Sequence, residues 1–326
     1  MLQHPNLSFV IILFHFHLKI ASAFNLTNGV DAETRLLDKL KSSIPQYSPP
    51  ADFKDKTVFI YLDLYQLLDV DEKNGLMTAK LWLYYYYYSD SAKWDPSEYG
   101  NIQALLVPPL TFWTADIVAL DAVDIQYEAF DRQALFPITG LISCWSSFVT
   151  IKVSCSFDVT NFPFDTHACN LTFGPWNLDN RSYVIATDPY LNMKEADLAH
   201  YKEHDEWTLL RPVKITTSGR SMRNIRSFDV LTVELRLERR HLFYAIIFVM
   251  PNLLLYYMSS FVFILPVESG EKVSFSITIL LAEIVSFGSI SDILPASSLN
   301  FPSMGYFVCA AVIQTALSSL LAIMGE

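Results

Sequence analysis

Apolar and polar positions follow two regimes along this chain. From about residue 54 to 240, short apolar runs alternate with polar residues and break at Gly, Pro, Asn and Asp, which is the period-2 pattern of half-buried strands. Thr57–Asp63, Leu76–Tyr88, Phe148–Phe157 and Asp229–Arg236 are the clearest such runs, rich in β-branched and aromatic residues. So many strands without intervening helical periods predict an all-β sandwich. Within Leu81–Tyr88, alternation places Trp82, Tyr84, Tyr86 and Tyr88 on one face and Leu83, Tyr85 and Tyr87 on the other, so the tyrosine run reads as sandwich wall.

After Arg240 the pattern changes abruptly. Leu242–Leu265 runs 24 residues without a charge around Pro251, long enough for a membrane helix. Residues 273–294 are also long enough to span, although they carry Glu283 and Asp292, and residues 304–324 are again uncharged. Three spans are therefore expected. At the other end, an apolar run within Met1–Leu18 followed by Ala21-Ser22-Ala23 predicts a secretory signal peptide over residues 1–23. That leader places the N-terminal domain outside the cytosol and the C-terminus inside. The basic group Arg239-Arg240-His241 then falls outside, against the positive-inside bias, so the leader and not the loop charges must set the orientation.

Composition agrees with a lipid-embedded part: 52% of the 326 residues are hydrophobic and the mean hydropathy is +0.26. A net charge of −11 argues against nucleic acid as a partner and would gather small cations at an extracellular face. An exported chain permits disulfides among Cys144, Cys155, Cys169 and Cys309. Cys309 lies in an apolar segment, which leaves Cys155–Cys169 as the natural pair and Cys144 as the odd thiol. Asn25, Asn170 and Asn180 begin glycosylation tripeptides.

Thirteen residues separate Cys155 from Cys169, with Phe162-Pro163-Phe164-Asp165 at the tip. Exposed phenylalanines are costly unless the tip docks on something apolar. The stretch CSFDVTNFPFDTHAC resembles the signature of Cys-loop (pentameric) ligand-gated ion channels, on the nicotinic acetylcholine receptor side. The likeness continues through Val70–Asn74, Trp94-Asp95-Pro96, Glu98-Tyr99-Gly100, Trp113 with Asp116, Phe173-Gly174 with Trp176, Asp197-Leu198, Tyr201 and Glu206-Trp207. Leu242-Phe243-Tyr244, Pro251 and Ser269-Gly270-Glu271-Lys272 carry it through the membrane. The resemblance implies an immunoglobulin-like extracellular ligand-binding sandwich of the Cys-loop receptor type over residues 24–240. An α-helical transmembrane domain of three helices over residues 241–326 follows, in a pentamer of homologous subunits around a cation pore. It also implies a cytoplasmic loop and a fourth helix after the third span, which the sequence ending at Glu326 is expected to lack.

The second span carries its own signal. A helical face at steps of three and four collects Ser274, Thr278, Leu281, Val285, Ser289 and Asp292, with Glu271 one turn below. Hydroxyls at the inner end, an apolar ring that closes by dewetting and carboxylates at both mouths suit a pore passing monovalent and divalent cations. The resemblance assigns Leu281 as the gate and Glu271 as the inner selectivity ring. Glu283 lies about 200° from Leu281 and so faces away from the lumen, where it needs a partner, a proton or water. By resemblance, Glu72 pairs with Arg239 or Arg240, while Phe162, Pro163 and Phe164 rest on the linker near 295–298, coupling the domains.

At the ligand site the sequence departs from the family. An aromatic cage would hold a quaternary amine, yet Trp176 is the member retained: Leu120 stands where the first-loop tyrosine falls, and Tyr87 replaces the tryptophan on the neighbouring face. Ile215–Phe228 has no adjacent cysteine pair and carries Arg220, Arg223 and Arg226, which would repel acetylcholine or recruit an anion. That implies a non-alpha subunit supplying the complementary face through Tyr87. His200-Tyr201-Lys202-Glu203-His204 matches a zinc-peptidase pattern, but it lies in a charged loop, so neither a metal, a cofactor nor enzymatic activity is expected. The function expected is a subunit of a neurotransmitter-gated, cation-selective channel in the plasma membrane, multi-pass, postsynaptic or neuronal. The alternative is a truncated, non-conducting subunit that modulates assembly of other subunits.

Overall fold

The computed structural model describes residues 29–108, 110–127, 132–187, 198–222, 226–266, 270–295 and 301–324. The leader and Asn25, Arg223 and linker residues 296–298 lie outside these. Among the described residues the first element is a helix, Gly29–Ser43. Its Ala32, Leu36 and Leu40 recur every four residues and are buried, forming the stripe that seats it on the sandwich. The strand pattern did not announce this helix.

The strands are β1 (Thr57–Asp71), β2 (Leu76–Tyr88), β3 (Leu105–Val107), β4 (Ile117–Ala119), β5 (Ala122–Tyr127), β6 (Arg132–Phe136), β7 (Leu141–Ser154), β8 (Thr166–Pro175), β9 (Val184–Thr187), β10 (Trp207–Met222) and β11 (Arg226–Arg239). They form two sheets: β3-β6-β7-β2-β1-β9 with β5 added on β7, and β10-β11-β8-β4. The tyrosine run sits in β2, between β1 and β7. As the alternation predicts, Met77, Ala79, Leu81 and Tyr87 face the core, while Tyr84 stacks on Tyr86 at 5.7 Å on the outer face. Facing residues Leu171, Phe173, Leu231, Val233, Leu235 and Leu237 complete the core from the smaller sheet. Hence the fold is the β-sandwich followed by apolar helices that the pattern predicted.

Cys155 follows β7 and Cys169 lies in β8, so their disulfide ties the larger sheet to the smaller one. The membrane helices are a first span, Leu242–Phe263, a second span, Lys272–Ile293, and a third span, Ser303–Met324. The first contains a π-helical turn, Ala245–Val249, directly before Met250-Pro251. A proline cannot donate its backbone nitrogen, and a widened turn is one way a helix absorbs that loss.

Replacing Cys155 and Cys169 together by serine is expected to cost about 3 kcal/mol, the chain-entropy value for a loop of this size. Denaturant unfolding followed by tryptophan fluorescence measures this, with Cys309→Ser, at the exposed free thiol, as the control that leaves the midpoint nearly unchanged.

Candidate functional site

The junction between sandwich and spans is built around one guanidinium. In β11, alternation turns Val233, Leu235 and Leu237 into the core, and the same face delivers Arg239 at the membrane end with its side chain fully buried. Its Nε donates to Asp165 Oδ1 at 2.8 Å, and its Nη2 to Asp165 Oδ2 at 2.9 Å and Glu72 Oε2 at 2.6 Å. Nη1 donates to Glu206 Oε1 at 3.1 Å. The guanidinium carbon stands 4.3 Å from the ring centroid of Trp207, its register partner on β10, and close to the rings of Phe162 and Tyr244. One side chain thus gathers the β1–β2 turn, the disulfide loop, the approach to β10 and the first span. Of the two expected partners of Glu72, Arg239 makes the pair; Arg240 points outward to Glu203 at 3.4 Å and Thr208 at 3.2 Å.

The carboxylates are served unequally. Burial alone would raise Asp165, but hydrogen bonds from Arg239 and His167 hold it well below the usual carboxylate range. His167 Nε2 lies 2.6 Å from Asp165 Oδ2 and is itself buried. At Glu72 burial wins, and its carboxyl is raised above the ordinary value despite the Arg239 hydrogen bond. The phenol of Tyr244 donates to Glu206, linking the first span to the same cluster. Sequence reading named Glu72 and Arg239 but missed Asp165, His167, Glu206 and Tyr244 as their partners. The available signal was a charge directly after the apolar loop tip, which only pays if a counter-charge is buried with it.

The loop tip docks on the first and third spans, with Phe162 buried and Phe164 still 62% exposed. Phe162 packs edge-on to Tyr244 at 5.3 Å, Phe164 approaches His241 at 4.9 Å, and Ser303 N–H donates to Thr160 O at 2.8 Å. Asn161, Phe162, Pro163 and Phe164 roof an open cleft of about 450 Å³ floored by Val249, Leu253, Met304 and Phe307. Lys73, in the β1–β2 turn, donates to Asp292 O at 3.2 Å. It therefore places a cation at the C-terminal end of the second span, where the helix dipole favours one. Sequence reading did not foresee this contact.

On the second span, Ser274, Thr278, Leu281, Val285, Ser289 and Asp292 are all exposed in the single chain, as is Glu271, while Ser276, Ile279, Glu283 and Ile290 are buried against the neighbouring spans. Thr278 and Ser289 donate their hydroxyls back to the carbonyls of Ser274 and Val285.

Trp176, after β8, is 65% exposed on a loop held from both sides. Its N–H donates to Asp116 O at 3.0 Å, and the Asp116 carboxylate accepts from the N–H groups of Asn177 and Leu178 and from the phenol of Tyr183. Arg226 Nη2 donates to Leu178 O at 2.9 Å and more distantly to Trp176 O at 3.4 Å. Leu120 packs on Gly174, where a Cβ would meet Leu120 Cδ1 at 2.9 Å, so it braces β8 from beneath. Tyr87, expected on a neighbouring ligand face, lies in the core instead: its phenol donates to Trp113 O at 2.7 Å and its ring packs on Phe53 and Trp113. Period-2 alternation is the reason, since Tyr87 shares the inward face with Met77, Ala79 and Leu81. Among the sequon asparagines, Asn170 is exposed on β8, whereas Asn180 is half-buried and donates to Asp229. The zinc-like pentapeptide is not helical; His200 pairs with Asp63 at 3.0 Å, His204 Nδ1 accepts from the N–H groups of Glu206 and Trp207, and no metal-binding group is present among the described residues.

Comparison with known proteins bears on this arrangement. Residues 33–241 match the model of the neurotransmitter-gated ion-channel ligand binding domain, and residues 248–323 that of the neurotransmitter-gated ion-channel transmembrane region. The chain is 30% identical over 95% of its length to neuronal acetylcholine receptor subunit non-alpha-2 of Carassius auratus, covering 66% of that protein. It is 32% identical over 98% of its length to subunit alpha-2 of Mus musculus and 29% identical over 98% to subunit beta-3 of Homo sapiens, covering 63% and 68% of those proteins. The chain thus spans about two thirds of the length of these relatives. It belongs to the neurotransmitter-gated ion-channel family as a Cys-loop, nicotinic-like subunit; that family is not an enzyme class.

Arg239→Gln is expected to destabilise the chain by about 3–5 kcal/mol, because it leaves buried carboxylates uncompensated, and thermal unfolding in lipid nanodiscs reads the loss. The depressed Asp165 also fixes a sign. Its stabilising contribution is present in full above the unfolded value of about 4 and is lost as pH falls through the lower folded value. Asp165→Asn should therefore flatten the acid limb of the stability–pH curve; an unchanged limb would assign acid unfolding to other groups.

Proposed function

From membership of that family, we propose that this chain is a subunit of an extracellular neurotransmitter-gated, cation-selective channel, in which ligand binding between adjacent sandwiches opens a central pore. It assembles with homologous subunits as a pentamer in the plasma membrane of neuronal or postsynaptic cells. Residues 1–23 serve as the leader, 24–240 as the extracellular domain and 241–326 as the membrane domain. The observation that carries this reading is the second span: hydroxyls, then Leu281 and Val285, then Ser289 and Asp292 share its exposed face, with Glu271 at the inner end. Five copies around an axis would stack a polar vestibule, an apolar constriction and acidic rings, an arrangement that passes cations and closes by dewetting. Coupling runs through the Arg239 cluster, the Phe162-Pro163-Phe164 tip and Lys73, which together bring the sandwich onto all three spans.

The ligand face favours an accessory role in the assembly. Trp176 offers one exposed ring, Leu120 and Tyr87 are turned to packing, and Arg226 stands behind the Trp176 loop with a fixed positive charge. We infer a non-alpha subunit whose partners supply most of the agonist cage. The non-conducting modulator remains the second reading, favoured by the same face.

Expression in oocytes alone and with partner subunits, with reversal potentials measured in sodium and chloride gradients, tests the pore. Glu271→Ala should reduce cation over anion preference in currents that a thiol reagent at Leu281→Cys blocks. Unchanged preference in such currents would overturn the assignment of Glu271, and failure of the reagent to block any current would favour the modulator.

A further inference from the structure

The face of the second span that carries Leu281 has an opposite number. Counting about 100° per residue, Ser276, Ile279, Glu283, Ser286 and Ile290 centre about 180° from Leu281. On this rear face Glu283 is 1% exposed, and its Oε1 accepts a hydrogen bond from Thr315 Oγ1 of the third span at 3.1 Å. One turn on, Ser286 Oγ accepts from Asn252 Nδ2 of the first span at 2.8 Å, and that amide also donates to Phe248 O at 2.7 Å. Between the first and third spans, Gln314 Nε2 donates to Ser259 Oγ at 3.2 Å and Ser260 Oγ at 3.4 Å. Every pair of spans is thus joined by a side-chain hydrogen bond.

No Lys, Arg or His occurs in Leu242–Leu265 or in residues 303–324, so neither neighbouring span offers Glu283 a counter-charge. What meets it is the Thr315 hydroxyl, and its Oε2 has no hydrogen-bond partner among the described residues. The rest of the helix gives little rotational preference, because Phe275, Ile277, Ile279, Leu280, Val285 and Phe287 spread apolar surface all round it. Apolar packing in lipid has no hydrophobic drive to favour one orientation. A hydrogen bond is directional and weakens steeply off-axis, and rolling the helix would carry a carboxyl group toward lipid or the lumen.

We propose that Glu283 and Thr315 form a clasp that sets the rotation of the second span, and so the direction in which Leu281 points, with Asn252–Ser286 as its second fixed point. Glu283 is in this sense a positioning residue for the gate, and the proposal rests on the pore reading given above.

The test uses the full chain expressed in oocytes with partner subunits, in a Cys309→Ser background. Leu281→Cys and Ile279→Cys are labelled with a charged, membrane-impermeant thiol reagent, and the rate is read on surface protein as protection from a later mass tag, which needs no current. With the clasp intact, Cys at 281 should label faster than Cys at 279. Glu283→Ala and the near-isosteric Thr315→Val should each reduce that ratio by at least about threefold, the scale of one interhelical hydrogen bond in lipid. Glu283→Gln, which keeps an oxygen for Thr315, should retain the parent ratio. A ratio unchanged in both Glu283→Ala and Thr315→Val overturns the clasp while leaving the pore face standing. A parent chain that labels 279 as fast as 281 overturns the pore face, and the clasp's task with it.

Discussion

Burying the Arg239 guanidinium is tolerable only if its fixed fork of donors is met, and the way it is met determines how the sandwich sits on the membrane helices. Desolvating a guanidinium costs several kcal/mol, recovered only by close, multiple and well-directed acceptors. Asp165 takes two of the donors, Glu72 and Glu206 take others, and the flat faces of Trp207, Phe162 and Tyr244 close around the ion. Those acceptors come from three separate stretches of chain, and the Tyr244 ring brings in a fourth, the first span. None can move alone without leaving a charge unpaired in a dry place, so the β1–β2 turn, the disulfide loop and the start of the first span are obliged to move together. The disulfide between β7 and β8 serves the same end, because it fixes the loop that carries Asp165 to both sheets.

The three carboxylates outnumber the one guanidinium, and the surplus is handled unevenly. Asp165 receives a second donor from His167 and stays a firm anion, whereas burial raises Glu72. Glu206 is partly solvated and takes the Tyr244 phenol besides. The acid of the disulfide loop is therefore met by Arg239 and His167 together, and that of the β1–β2 turn by Arg239. That turn also holds Lys73, which reaches the end of the second span. The arm of the cluster that carries Glu72 is thus the one that touches the helix bearing Leu281.

Much of this was legible in the chain, for identifiable reasons. Strand alternation is a strict period, so β2 could be placed residue for residue, and the three spans announced themselves through uninterrupted apolar length. The same alternation already assigned Tyr87 to the face of Leu83 and Tyr85; reading it as a ligand contact followed family correspondence and not the local pattern. The N-terminal helix escaped because its stripe of Ala32, Leu36 and Leu40 is short and lies in a charged segment. Partners such as Asp165 with Arg239, 74 positions apart, escaped because no local pattern encodes which distant charges meet. The exception was Glu283, where an acid on an apolar helix demanded a partner on physical grounds alone, although its identity as Thr315 needed the packing of the third span.

The junction and the spans solve the same problem by different chemistry. At the junction a full charge is buried among carboxylates, of which Asp165 is held ionised by hydrogen bonds from Arg239 and His167. Beside Glu283 neither the first nor the third span supplies a cation, and the polar contacts are neutral or single-ended: an amide to a hydroxyl, a hydroxyl to a carboxyl oxygen. Ion pairs resist displacement strongly, while one hydrogen bond in lipid is worth about 1 kcal/mol because a displaced group finds other partners. Movement starting at the stiff cluster would therefore be expected to yield first at the weaker contacts between helices. On the proposed pore reading, such an order would let a sandwich that moves as a block rotate a helix without breaking the block itself.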